Sequence, residues 1–323
     1  MTDRQKSRAP KPPKAKEQLA DNIVEGQSSD QTMASKWPAA IGRGKSLAAG
    51  LYVTATPIGN LEDITLRALR VLEQSDVIAC EDTRVTAKLL SAYGLKTPLI
   101  AYHDHNGPRA RPQILARLAA GERVALVSDA GTPLISDPGF KLIAEAHEAG
   151  HGVFAVPGAS SVSSALSIAG LATDRFLFAG FLAPKSGARK KALEELKSVK
   201  GSLVLLEGPS RLAALLKDAA DVLGPRQAAI AREITKLHEE VRRGSLEDLA
   251  AHYAEAGAPK GEIVVVIGPP DNDPYTELDV DAALTQALKT SSVKDAAAEV
   301  AEMSGRPRRE LYARALEISK GSD

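Results

Sequence analysis

A chain of 323 residues, 44% hydrophobic and 25% charged, has the composition of a globular protein with two domains and a small extension. Its 41 basic side chains balance 41 acidic ones, which argues against indiscriminate binding of polyanions, and aromatics at 4% exclude a nucleic-acid surface built on rows of stacking rings. The single cysteine, Cys80, excludes an intramolecular disulfide and a cysteine-based zinc site. No apolar run approaches the roughly 18 residues of a membrane span. The charged, proline-rich start has no apolar signal core, so a cytoplasmic protein without membrane contact is expected.

Residues 1–48 read as a disordered basic tail. Arg4, Lys6, Arg8, Lys11, Lys14 and Lys16 stand against Asp3 alone, and the polar stretch that follows has too little apolar surface to offset its ordering entropy. The tail is either a solvated leader or an arm that attracts RNA.

From residue 49 the pattern becomes short β-prone runs alternating with helical periodicity. The runs 51–56, 76–80, 123–128 and 152–157, with a further β-prone segment at 98–102, are separated by helical stretches around 64–72, 85–90, 114–118 and 142–149. Such alternation predicts a mostly parallel sheet covered by helices over 49–165. A second unit, 166–270, contains expected strands at 175–181, 202–207, 228–233, 239–245 and 261–268. Its shorter links suit antiparallel pairing, so this sheet is expected to be mixed. After Pro269-Pro270, residues 271–323 read as a linker and helices near 279–289, 292–303 and 308–318, with Ser292 as an N-cap and Gly305 in the turn before the last.

The loops that follow the first sheet's strands carry the chemistry, because ligands of open α/β sheets bind beyond the strands' carboxyl ends. Thr56-Pro57-Ile58-Gly59-Asn60-Leu61 is a tight strand-to-helix turn that either serves as a plain connection or lets backbone approach a ligand; it is no GxGxxG. Glu81-Asp82-Thr83-Arg84 crowds three charged groups at a strand end, as a helix cap or as a functional cluster. His103-Asp104-His105-Asn106 is a second polar group, but no third ligand of suitable spacing completes a metal site, and none is expected. Ser128 through Gly139 place four Gly/Pro residues in twelve positions, more constraint than a connector needs, and so fix backbone N–H and C=O groups for a ligand. Val156-Pro157-Gly158-Ala159-Ser160-Ser161 opens a small-residue helix, either for close packing or to let a bulky ligand lie against the helix start.

Together these runs resemble the tetrapyrrole methylase family. The resemblance is carried, in order over about residues 50–268, by LYVTATPIGNLEDITLRAL, EDTRVTAKLL, HDHN, SDAGTPLISDPG, VPGASS, FAGFLAPKSGARKKAL, LLEGPSRL, AREITKLHEE and KGEIVVVIG. EDTR, HDHN and AREITK are more specific than the glycine loops. They point to the branch that methylates a cytidine ribose 2′-hydroxyl in small-subunit ribosomal RNA, whose C-terminal helical extension SVKDAAAEVAEMSGRPRRELYARAL also resembles. The resemblance implies two α/β domains of the tetrapyrrole methylase type, a small helical extension, and S-adenosylmethionine folded into the cleft between the domains of a homodimer.

Carried over by position, the resemblance implies a cofactor site of Pro57, Asp129, Ala130, Gly131, Thr132, Ile135, Ser160, Ser161, Leu182, Gly208 and Pro209. One departure is Ala183, which stands where the family pattern passes directly from Leu to Pro. Strand-end placement makes Glu81, Asp82 and His103 candidate bases for the ribose proton. Arg84 would orient a carboxylate or hold a phosphate, and Asn106 would bond the ribose or base. Arg189, Lys190, Lys191, Arg232, Lys236, Arg242 and Arg243 are the candidate RNA contacts in the second domain, with Arg306, Arg308 and Arg309 in the extension. The expected substrate is 16S rRNA in its decoding region, within the assembled small subunit, whose shape would supply selectivity that base-reading aromatics cannot. A small-molecule methyltransferase of the same fold and a non-catalytic ribosome-binding protein are the alternatives. A nucleotide-binding module lacks a Walker A sequence.

Overall fold

The computed structural model describes residues 46–270, 277–304 and 306–320. The expected basic tail to Lys45, the linker after Pro270 and the Gly305 turn lie outside the described residues.

The first sheet contains β1 (Gly50–Thr54), β2 (Val77–Cys80), β3 (Leu99–Ala101), β4 (Arg123–Val127) and β5 (Val153–Val156), in the order β3-β2-β4-β1-β5 and parallel throughout. Side-chain alternation sends Tyr52, Ile78, Cys80, Ala125 and Val127 to one face, under α1 (Leu66–Gln74) and α2 (Thr83–Ala92). Leu51, Val77, Ala79, Val124 and Leu126 face the other way, against α3 (Gly107–Ala119) and α4 (Phe140–Glu148). Each fully buried Leu, Ile or Val contributes roughly 1.5–3 kcal/mol. Helix α3 begins well before the expected 114–118, because Pro108 sits in its first turn, where no backbone N–H is needed. At the amino edge, Arg123 joins β4 to Asp76 through N–H···O bonds of 2.7, 3.0 and 2.6 Å.

The second sheet contains β6 (Phe176–Phe181), β7 (Ser202–Glu207), β8 (Gln227–Arg232), β9 (Glu240–Ser245) and β10 (Ile263–Ile267) in the order β6-β7-β10-β8-β9. Only β6 and β7 pair in parallel, so the sheet is mixed, as expected. Leu203, Leu205, Ile230, Val265 and Ile267 meet α6 (Ser186–Leu196), α7 (Leu212–Leu223) and α8 (Leu246–Ala256). The opposite face, Val204, Ala229, Ala231, Val264 and Val266, is covered by α5 (Ser161–Ala169) through Val162, Ala165, Leu166 and Ala169. The expected division at 165/166 thus falls inside a helix that leaves the first sheet and packs on the second. Its small side chains allow that close approach.

The extension is a three-helix unit with its own core: α9 (Glu277–Ala287), α10 (Val293–Ser304) and α11 (Arg308–Lys320) bury Val280, Leu284, Ala296, Ala297, Val300, Leu311 and Ala315 together. Ser292 caps α10 by accepting the Asp295 N–H at 3.2 Å. No helix among the described residues is long and apolar enough to cross a membrane.

Candidate active site

Because β1 to β5 are parallel, the five loops singled out in the sequence leave one edge of the first sheet, and two of them, at Gly59 and Ser136, come close to the second domain. Four of them are tied together by main-chain and side-chain hydrogen bonds. Thr56 and Gly131 exchange N–H···O bonds of 2.9 and 3.1 Å, an isolated antiparallel bridge between the first and fourth loops. The Asp129 carboxylate accepts the Asp82 N–H at 2.9 Å, and the Thr132 hydroxyl donates to the Ala159 carbonyl at 3.1 Å. Loops held this way present backbone groups at fixed positions, and reorganising them on ligand binding costs little.

The fourth loop is strained as well as tied. Leu134 and Ser136 have φ of 73° and 64°, a region that L-residues with side chains avoid. Gly139, at φ 143°, has Leu126 Cδ2 and Leu134 Cγ 3.2 and 3.3 Å from where a Cβ would stand, so a side chain there would be both strained and crowded. From the second domain, Gly180 comes so near this loop that a Cβ on it would stand 3.2 Å from Ser136 Oγ. The cofactor candidates Asp129, Ala130, Gly131, Thr132 and Ile135 therefore share one rigid ridge. Ser160 and Ser161 stand at the start of α5, where no side chain caps the helix. Pro57 lies beside the Thr56–Gly131 bridge, in a recess it shares with Gly59, Leu61, Val85, Thr86, Leu89, Ser128 and Asp129.

The second domain's candidates are Leu182 and the Gly208-Pro209 turn, and at Leu182 the backbone is the part that remains a candidate. Its side chain packs into the α6–α8 core with Leu193, Leu203 and Leu205, and its carbonyl accepts from Arg211 Nη2 at 2.6 Å, so it presents no side chain to the cleft. Arg211 also pairs with Glu207 at 2.9 Å, and Glu207, its side chain fully buried, accepts the Gly208 N–H at 2.7 Å. Burial pushes the Glu207 carboxyl up, against the pull of the Gly208 N–H and Arg211. This network holds the Leu182 backbone and the Gly208-Pro209 turn as a unit, and the space where a Gly208 Cβ would stand is open. Its sequence signal was Glu207 and Arg211 at i, i+4 around the Gly-Pro turn.

Strands β2 and β3 are neighbours, so the EDTR and HDHN loops lie side by side. Asp82 caps α2 through the Arg84 N–H at 2.8 Å and pairs with the Arg84 guanidinium at 2.6 Å. Arg84 thereby holds the Asp82 carboxyl below its usual range. Asn106 is turned inward: its Oδ1 accepts the His103 N–H at 2.8 Å and its Nδ2 donates to the Ala101 carbonyl at 2.9 Å. It shapes the turn and leaves little amide for a substrate. Glu81 and His103 are both half-buried, and His103 Nδ1 is buried without a hydrogen-bond partner.

The expected RNA-binding cations are mostly committed within the chain. Arg189 is 3% exposed and pairs with Asp218 at 2.6 Å, so no phosphate reaches it. Lys190 pairs with Asp221 at 2.7 Å, while Arg232 and Arg242 share Glu240 at 2.9 and 3.1 Å. Arg243 donates to the Gly170 carbonyl at 2.7 Å and so closes the end of α5. Lys236 is held by Glu233 at 2.8 Å and Glu262 at 3.3 Å with its side chain only 10% exposed. Burial opposes its charge, but Glu262 and Glu233 outweigh burial and raise its pKa, so it stays protonated at neutral pH. Lys191 remains exposed. Among the described residues no group of three or more His, Cys, Asp or Glu is placed to hold a metal ion.

Comparison with known proteins adds to this geometry. Residues 50–250 match the family described as tetrapyrrole (corrin/porphyrin) methylases, and residues 276–319 match the RsmI C-terminal HTH domain. Over 279 residues the chain is 48% identical to the ribosomal RNA small subunit methyltransferase I of Mesorhizobium japonicum, covering 86% of this chain and 95% of that protein. The protein of the same description from Synechocystis sp. is 44% identical over 273 residues, 83% of this chain and 98% of that one. Among solved structures, a conserved hypothetical protein from Aeropyrum pernix superposes with a TM-score of 0.55 at 21% identity, over 85% of this chain and 98% of that one, a likeness of fold.

Proposed function

This chain belongs to the tetrapyrrole methylase family and uses S-adenosylmethionine as methyl donor, and from that premise we propose that it methylates the ribose 2′-hydroxyl of a cytidine in the decoding region of 16S rRNA. The observation that carries the reading is the match to ribosomal RNA small subunit methyltransferase I proteins along nearly their whole length, which the helical extension shares. A methyltransferase for small tetrapyrroles has no evident use for that extension.

The cleft fits the cofactor by the chemistry of its donors. Rigid N–H and C=O groups at 129–135, the Asp129 carboxylate, the Ser160 and Ser161 hydroxyls and the open space beside Gly208 suit amino, ribose and adenine groups. When bound, the sulfonium supplies an electrophilic methyl carbon. The protein's part is to align the ribose oxygen with that carbon, for which positioning supplies up to about 7–11 kcal/mol. It must also take the hydroxyl proton, worth about 10²–10⁴-fold. Glu81 and His103 are the groups we assign to the proton, since Arg84 already engages Asp82. The loop at 129–135 from the first domain and the Gly208-Pro209 turn from the second are the parts that would hold the cofactor.

Phosphate contacts fall, in this reading, to Lys191 and to the extension, where Arg309 and Lys294 are exposed. The substrate is the assembled small subunit, which makes the protein cytoplasmic. Homodimer formation has apolar surface to use: Phe140, Phe181 and Leu237 are 76%, 60% and 93% exposed. The site of transfer is read from the chemistry of the product, because a 2′-O-methyl group removes the nucleophile of alkaline RNA cleavage. Treated 16S rRNA is expected to gain one alkali-resistant linkage 3′ to a cytidine in the decoding region. A methylated base with the linkage still labile would overturn the ribose assignment.

A further inference from the structure

We propose that Lys236 is a positioning residue, a strut from the second domain that sets the height of the Gly59 loop and with it the first domain's cofactor-facing edge. The inference rests on the function proposed above. A Cβ at Gly59 would stand 2.5 Å from Lys236 Cγ, 2.9 Å from its Cε and 3.0 Å from Thr235 Oγ1, so the loop lies directly on the lysine's methylenes. That contact crosses from the AREITK loop after β8 to the turn after β1, and it explains why this position carries no side chain.

The strut is fixed at its far end. Lys236 Nζ binds Glu233 and Glu262, and the Glu233 carboxylate also accepts the Glu262 N–H at 2.9 Å. Thr235 N–H donates to the Glu239 carboxylate at 2.5 Å. Glu233 and Thr235 adopt φ of 51° and 69°, and Gly261 at φ 92° leaves the Glu233 carboxylate 2.2 Å from where a Cβ would be. Strain of this kind persists only where surrounding contacts over-determine the conformation, and it concentrates at functional sites. An RNA-contacting lysine would need its ammonium exposed. Here the ammonium is sealed between two carboxylates, and the stem makes the contact.

Movement at Gly59 reaches the cofactor ridge by two routes. Thr56 is bridged to Gly131, and Ile58 Cγ2 lies 3.1 Å from the position of a Gly131 Cβ. Gly59→Ala is therefore expected to weaken S-adenosylmethionine binding by roughly 10- to 100-fold, the scale of an overpacking clash. The same variant combined with Lys236→Ala, which removes the clashing stem, should recover most of that loss. Combined with Lys236→Met, which keeps the stem and removes the charge, it should not. Calorimetric Kd values for full-length protein measure this, with circular dichroism melts to confirm folding. Lys236→Ser, equally short, replaces Lys236→Ala if the alanine variant does not fold. Recovery by the short side chain and not by methionine supports the strut. Wild-type affinity in Gly59→Ala, or losses that multiply in the short-side-chain double variant, overturns it while leaving the functional reading intact. Wild-type protein that takes up no cofactor overturns the functional reading and the inference together.

Discussion

Asp218→Ala is expected to destabilise the protein by about 3–5 kcal/mol, the cost of leaving a buried charge without its partner. Arg189 and Asp218 are 3% and 5% exposed, and the guanidinium also donates to the Pro184 carbonyl at 3.1 Å while Asp218 accepts from Ser186 at 3.0 Å. Removing the carboxylate strands the guanidinium among Leu-rich helices, where no solvent screens it. The loss reaches the cleft, because the Pro184 carbonyl lies two residues beyond Leu182 and starts α6 on its path. Urea unfolding monitored by circular dichroism measures the effect. A change below about 1 kcal/mol would mean that the pair is solvated. The double variant Arg189→Met, Asp218→Leu is expected to recover much of the stability, since apolar replacement of both partners is often neutral.

Asp129→Ala is expected to weaken S-adenosylmethionine binding by about 1.5–3 kcal/mol, or roughly ten- to hundredfold, the worth of a hydrogen bond to a charged group. The carboxylate has two tasks. It accepts the Asp82 N–H, which fixes the EDTR loop against the fourth loop, and it offers the ridge its negative charge. Asp129→Asn separates them, because an amide oxygen still accepts the N–H. Calorimetry on the two variants should give nearly equal losses if charge dominates. Near-normal binding in the asparagine variant would show that loop alignment does.

The alternating architecture was legible because both faces of each sheet are covered. Strands such as Val77–Cys80 and Ile263–Ile267 then read as continuous apolar runs that cannot be mistaken for surface. The constraint of the loop at 128–139 was legible for a related reason: glycine and proline at 131, 133, 138 and 139 announce it. What composition conceals is partnership between residues distant along the chain. Arg189 reads as part of a basic run until Asp218, 29 residues later, is placed against it. Arg243 reads likewise until it is seen to close a helix that ended 73 residues before, at Gly170. Strain at Leu134, Ser136, Glu233 and Thr235 was equally hidden, because positive φ is announced by glycine and here the residues carry side chains. Helix α5 misled for a simpler reason. Its alanines and serines fit either sheet, and only packing decides between them.

Electrostatics redistribute the functional reading more than the fold does. A neutral chain whose second-domain cations are mostly paired internally cannot rely on a broad basic face for RNA. In the proposed function, recognition would rest on the shape of a folded particle and on a few exposed cations, some on a separate helical unit. The expectation of a ribosomal particle as substrate, drawn from the scarcity of base-reading aromatics, agrees with that shortage of free charge.

The most direct test is to incubate the purified protein with radiolabelled S-adenosylmethionine and small ribosomal subunits from cells lacking this activity, then measure label in the 16S rRNA. The account predicts stoichiometric transfer of one methyl group per subunit, confined to a cytidine ribose in the decoding region. Tight cofactor binding with no label in subunits or free rRNA would contradict it and point to a small-molecule acceptor for the same cleft.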